Sequence, residues 1–278
     1  MLNQPTLDGL AERAKAGDRS ALEELVRGLQ DRLYRISLRF LGNPAHAHDA
    51  TQEVLILVIT QLGSFRGESA VSTWAYRIAT RHLLRQRSRW RESSFESLAE
   101  DDLGQPPNAV EPQTLASAEE RLLEEEIFVG CTQAMLQALD APHRIAFVLG
   151  AILELEARDA AAVLELSEVA FRKRLSRARE TLDGFVSRHC GVANLANACR
   201  CRYQVNHNVR HGRMEPKQLR FAVPVTQTSL EALRAHGEIQ KVRRSLELYR
   251  AQREFVPPED FAERVRRLLE ASPLISSS

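Results

Sequence analysis

The sequence predicts an all-α protein, and three observations carry that prediction. Apolar residues recur at three- and four-residue spacing along most of the chain, the stripe of an amphipathic helix. Turn and linker residues punctuate those stripes at Gly42-Asn43-Pro44, Gly63–Ser69 and Asp140-Ala141-Pro142. No useful length of sequence alternates apolar and polar residues as a half-buried strand does. The longest apolar run, Ile145–Leu153, is about half the ~18 residues a membrane helix needs, so no insertion is expected. The N-terminal residues carry no apolar signal core, and four cysteines without one point to reduced thiols or a metal site; a cytoplasmic protein is the expectation.

Taken in order, Leu22, Leu25, Leu29, Leu33 and Ile36 form the first stripe, which Gly42 and Pro44 end because neither continues a helix cheaply. The segment DATQEVLILVITQL is the next helix, with acids near its N-terminus where the macrodipole favours them. After the loop GSFRGES, a third long helix covers Val71–Arg89. Residues 92–117 hold three prolines and few apolar side chains, the composition of a flexible linker. A second helical block places Leu122, Ile127, Cys131, Met135 and Leu139 near one face, breaks at Pro142, and continues toward Leu155. A short apolar helix at Arg158–Leu164, a tight turn and an N-cap at Ser167 then lead into EVAFRKRLSRARETLDGFV. There Phe171, Leu175, Ala178 and Leu182 make a buried seam, and Arg172, Lys173, Ser176 and Arg177 fall outside it. Short helix, turn and long basic helix describe a helix-turn-helix, whose second helix enters the DNA major groove.

A formal net charge of +1 conceals segregation. Residues 1–91 carry +5, residues 92–126 carry −10, and residues 191–278 carry +6. Val71–Arg91 holds six arginines and no acid, and Arg172–Arg179 five basic residues and no acid. Such stripes are either phosphate-facing surfaces or solvated helix faces.

Two stretches resolve that choice by resemblance. HAHDATQEVLILVITQLGSFRGESAVSTWAYRIATRHLLRQR resembles the second conserved region of the extracytoplasmic-function (ECF, group IV) sigma factors of bacterial RNA polymerase. VLELSEVAFRKRLSRARETL resembles their fourth region, with Lys173-Arg174-Leu175-Ser176-Arg177-Ala178-Arg179 in place of the family's usual ending. The resemblance spans about Leu10–Val186 and implies a non-catalytic subunit that binds core RNA polymerase and promoter DNA and requires no cofactor. It further implies that Asp49, Gln52 and Glu53 dock on the polymerase. Phe65, Arg66, Gly67, Glu68 and Ser69 would form the loop that captures a flipped base of the −10 element, with Arg77, Arg81 and Arg85 on its phosphates. Arg172, Lys173, Arg174, Ser176 and Arg177 would read the −35 element. Trp74 is expected in the core, and the family's usual Gly near the helix-turn-helix turn is replaced by Glu165. An anti-sigma factor is a further partner that the resemblance admits. The alternative is a stand-alone helix-turn-helix transcription regulator with a metal- or thiol-sensing C-terminal tail, which would not require the Asp49–Glu53 helix or the GSFRGES loop. His46-Ala47-His48-Asp49 mimics a hydrolase metal cluster, but it opens a helix rather than ending a strand.

The expected organisation is therefore region 2 at 1–91, an acidic flexible linker at 92–118, region 4 at 119–188 and an extension at 189–278. Within the extension Cys190, Cys199, Cys201 and His207 fit a Zn or soft metal ion, a redox-active thiol pair, or ordinary loop packing. Beyond them, Leu230, Leu233, Ile239, Val242, Leu246 and Tyr249 predict one amphipathic helix, and Phe261, Val265, Leu268 and Leu269 a shorter one. A regulatory role is expected for this extension.

Overall fold

The structure, a computed structural model, describes residues 6–86, 94–99, 117–223, 228–229, 231, 245–252, 254–257 and 260–271. Among them the regular elements are helical, without a strand. The first half is a bundle of α1 (Leu7–Lys15), α2 (Arg19–Leu41), α3 (Pro44–Gln61) and α4 (Val71–Gln86). The predicted stripe on α2 lies inside it, with Leu25, Leu29, Leu33 and Ile36 at most 1% exposed. Gly42 ends α2 in the left-handed conformation (φ 67°), and the Asn43 side chain caps α3 by accepting from the Ala45 and His46 amides at 2.9 and 3.2 Å. The helix α1 has no counterpart in the sequence reading. It buries only Leu10 and Ala11, too few apolar residues to set a period.

Part of the acidic stretch read as linker is built. Residues Phe95–Leu98 form α5, and Phe95 packs its ring 4.9 Å from Phe185 while Leu98 is buried. Two apolar side chains suffice to anchor that turn, although the average composition is too polar to bury. The remaining residues from Glu100 to Gln113 and on to Ala116 lie outside the described residues.

The second half consists of α6 (Ala118–Ala138), α7 (Ala141–Phe147), a π-spaced segment Val148–Ile152, α8 (Ala157–Leu164) and α9 (Glu168–His189). Ser117 and Glu120 close a capping box on α6, and Ser167 caps α9 as expected. The helix predicted to continue through Leu155 instead widens to π spacing, with the Leu153 amide donating to Val148 O at 2.8 Å. Gly150 within it faces α9 closely: a Cβ there would stand 2.6 Å from Phe171 Cζ and 2.9 Å from Leu175 Cδ2. Replacing Gly150 with alanine should therefore overpack the seam under α9 and destabilise the fold by about 2 kcal/mol, readable by urea denaturation.

One hydrophobic core spans both halves, and a second joins the second half to the extension. The helix α4 packs on α8, and α2 packs on α6, α7 and the π segment. The guanidinium of Arg144, 4% exposed, fills the α6–α7 turn and donates to the carbonyls of Leu136, Gln137 and Leu139 at 2.8–2.9 Å. It also reaches across to Phe40 O at the end of α2, 3.1 Å away.

The extension wraps both halves. Its helix α10 (Cys201–Arg210) packs on α6, and the Glu126 carboxylate accepts the backbone amides of Arg220, Phe221 and Ala222 at 2.8–2.9 Å. Then come α11 (Ser245–Arg250) and α12 (Phe261–Ala271), the latter lying on α2. Tyr249 is 2% exposed, within the stretch where a helix is expected. Leu230, Leu233, Ile239 and Val242, and the side chains of Val265, Leu268 and Leu269, lie outside the described residues. No described helix is long and apolar enough to cross a membrane.

Candidate nucleic-acid and partner interfaces

The recognition-helix candidate α9 is oriented by its seam. Phe171, Ala178 and Leu182 are at most 1% exposed and Leu175 is partly buried against the same core. Helical spacing then sends Val169, Arg172, Lys173, Ser176 and Arg177 to the opposite face, and all five are exposed. Arg174 does not join them: three residues after Phe171, it sits half-buried on the flank. In the free chain Arg172 pairs with Glu168 at 2.7 Å and Ser176 donates to Glu180 at 2.7 Å. These i,i+4 contacts keep both side chains extended along the helix surface. Val169 escaped the sequence reading because one apolar residue outside a seam gives no periodic signal. At 75% exposed on the second position of α9, it is placed where recognition helices meet base edges.

The turn before α9 explains the departure noted at Glu165. That residue adopts φ 57°, the left-handed conformation glycine takes freely and a side chain takes at a cost of about 1 kcal/mol. Its carboxylate is ion-paired with Arg81 on α4, so a residue expected to grip promoter phosphates is engaged by the helix-turn-helix itself.

On α3 the expected docking row is only partly presented. Asp49 and Glu53 are exposed and Gln52 is half-buried. Glu53 is tied to α4 through His82 Nε2 at 3.0 Å and the Gln86 amide at 2.8 Å. Burial holds the His82 imidazole below its ordinary pKa, with the Glu53 charge acting against it. Ile56, 45% exposed and on the Asp49–Glu53 face, extends the row with an apolar side chain. An apolar residue in an already apolar helix carries no signal by which sequence reasoning finds it.

The GSFRGES loop is less open than expected. Phe65 is 4% exposed, packed 5.5 Å from the Trp74 ring, and its carbonyl accepts from Lys15 Nζ at 2.8 Å. Arg66, Gly67 and Glu68 are exposed, Ser69 is half-buried, and Gly67 takes φ 72°. The phenyl ring thus supports the loop from inside rather than walling an open pocket. Trp74 is half-buried on the same core, Arg77 is half-buried, and Arg85 is exposed.

The expected metal set is not assembled. Among the described residues no three His, Cys, Asp or Glu side chains are arranged to hold a metal ion. Cys190, Cys199 and Cys201 do converge, together with Cys131 from α6, around a cavity of about 300 Å³ between α6, α9 and the extension. His207 does not line it and stacks instead on His211, 4.2 Å between ring centroids. Burial raises the thiols of Cys190 and Cys201 and pushes Cys199 up to about 11. The three cysteines thus share one cavity wall, without the fourth expected side chain, His207.

Comparison with known proteins matches two separate stretches of the chain to known families. Residues 25–92 match the Sigma-70 region 2 family and residues 130–182 the Sigma-70, region 4 family. The chain is 33% identical over 186 residues to the RNA polymerase sigma-H factor of Pseudomonas aeruginosa, covering 66% of this chain and 95% of that protein. It is 29% identical over 193 residues to the ECF RNA polymerase sigma-E factor of Escherichia coli K12, covering 67% and 97%. The sigma factor RpoE of Bartonella quintana, solved with the anti-sigma factor NepR, is 21% identical with a TM-score of 0.39, covering 57% and 92% of the two chains. The chain belongs to the extracytoplasmic-function sigma factors of the sigma-70 family.

Proposed function

We propose that this chain acts as the promoter-specificity subunit of a bacterial core RNA polymerase, contributing recognition while the polymerase performs the chemistry. The observation that carries the reading is the coexistence, on one chain, of the α9 basic face and the α3 acid-and-amide row. The first suits DNA phosphates and guanine edges, the second a basic, hydrogen-bonding protein partner. In this reading Arg172, Lys173, Ser176 and Arg177 contact the −35 element, with Val169 against a thymine methyl and Arg174 at the phosphate flank. Arg66, Gly67, Glu68 and Ser69 receive the −10 base on a loop stiffened by Phe65, and Arg77, Arg81 and Arg85 follow the phosphates. Asp49, Gln52 and Glu53, extended by Ile56, dock on the polymerase. Residues 1–91 and 119–188 are the two recognition regions, the acidic stretch between them is the tether, and residues 189–278 regulate access. Relatives named as RNA polymerase sigma factors support a cytoplasmic subunit without enzymatic activity.

Transcription reactions test this directly. Core polymerase supplied with a promoter library and this chain should yield transcripts starting at a common motif, and neither component alone should. Tight, motif-specific DNA binding by the chain alone, with no effect on polymerase, would overturn the assignment.

A further inference from the structure

We infer that residues 245–252, 254–257 and 260–262 form an internal latch, which bolts the region 4 half onto α2 and must release before the chain can engage polymerase and promoter together. The inference rests on the sigma-factor reading above and adds its regulation. Its centre is Arg39, a guanidinium 4% exposed on α2. Arg39 donates to Gln252 Oε1 at 2.6 Å and lies 5.6 and 4.7 Å from the ring centroids of Tyr249 and Phe255. All three partners belong to the extension, so the burial of this cation depends on the latch being closed.

The same segment grips the other half. Tyr249 donates its hydroxyl to Thr132 O at 2.9 Å, and Gln252 donates to Thr132 Oγ1 at 2.7 Å. Ser245 bonds Asp183 of α9 through its amide and hydroxyl, at 2.6 and 2.7 Å. One amide side chain, Gln252, thus bridges α2 and α6. Farther along, Glu254 pairs with Arg35 at 2.5 Å and Asp260 with Arg27 at 3.7 Å. Phe261, 1% exposed, seats its ring 4.9 Å from His48, the residue preceding Asp49 in the proposed docking row. In this arrangement Arg81 is committed to Glu165.

The latch is built to be reversible. Its outer ion pairs are partly exposed and contribute little each. Helix α12 spans eleven residues, a length at which an isolated helix is marginal, so it holds its shape by resting on α2. A closed fraction lowers the apparent affinity for any partner that binds only the open form, in proportion to the open population.

Three full-length variants test this against the wild type. Arg39→Ala removes the central cation, Phe261→Ala empties the far seat, and Gln252→Ala removes the amide that bridges α2 and α6. Amide exchange over the described latch residues reads the latch, and equilibrium binding to purified core RNA polymerase reads its consequence. All three should speed exchange there and bind core on the order of tenfold tighter. Faster exchange with unchanged core affinity in all three would overturn the latch. If the wild type and every variant failed to bind core, the sigma-factor reading itself would fall, an outcome distinct from equal binding by all.

Discussion

Replacing Arg144 with alanine is expected to cost about 3 kcal/mol of stability, a fall in melting temperature on the order of 10 °C. The side chain is a cap built from the interior. It satisfies the carbonyls of Leu136, Gln137 and Leu139 where α6 ends, and the bonds to Leu136 and Leu139 are buried, where solvent offers no substitute. A further bond to Gln137 Oε1 at 2.8 Å and a position 5.3 Å from the centroid of the Phe40 ring hold the guanidinium in place. Lysine keeps the charge but presents a compact ammonium instead of a planar fork, so Arg144→Lys should recover less than half of the loss. Methionine keeps much of the aliphatic volume, and an Arg144→Met loss close to that of alanine would assign the effect to hydrogen bonds rather than packing. Denaturant midpoints of the three variants decide the matter, and equal stability of Arg144→Ala and wild type would refute the cap.

Much of this architecture was readable from local signals. Gly42 announces the end of α2 and Ser167 the start of α9 because capping is settled within four residues, and the Phe171–Leu182 seam announces its face because periodicity is local too. The outward row Arg172, Lys173, Ser176, Arg177 followed from the seam by geometry alone. What the sequence withheld depends on residues far apart in the chain. Nothing local to Arg39 or Arg144 signals burial, yet both are buried because segments 213 and 104 residues away in sequence close over them. Phe65 read as part of an exposed loop, but the end of α1 and Trp74 enclose it. The cysteine spacing suggested ligands, whereas the burial that raises their pKa values is a property of packing. Glu165 was legible as a departure; its left-handed backbone and its bond to Arg81 required the fold.

Among functional variants the largest effect is expected on α9, where two substitutions should fail in different ways. Arg172 stands in the first turns of the helix, within reach of base edges when the N-terminal end enters the major groove. Arg172→Ala in the reconstituted holoenzyme should weaken binding to the preferred promoter by about 1–3 kcal/mol, a loss of roughly 5- to 150-fold, and relax selection at one −35 position. Its pairing with Glu168 in the free chain is exposed and offers little resistance to that exchange of partners. Arg177 lies farther along the same face, beyond Ser176 and exposed; in the proposed reading this is where the helix leaves the groove and meets phosphate. Arg177→Ala should lower affinity evenly across sequences and reduce the salt slope of log K by about one, as expected when a single phosphate is left without its cation. Binding over a randomised −35 segment at several salt concentrations separates the two. An unchanged preference in Arg172→Ala, with only a uniform loss of affinity, would show that α9 positions the subunit without reading sequence, leaving the choice of promoter to the −10 loop.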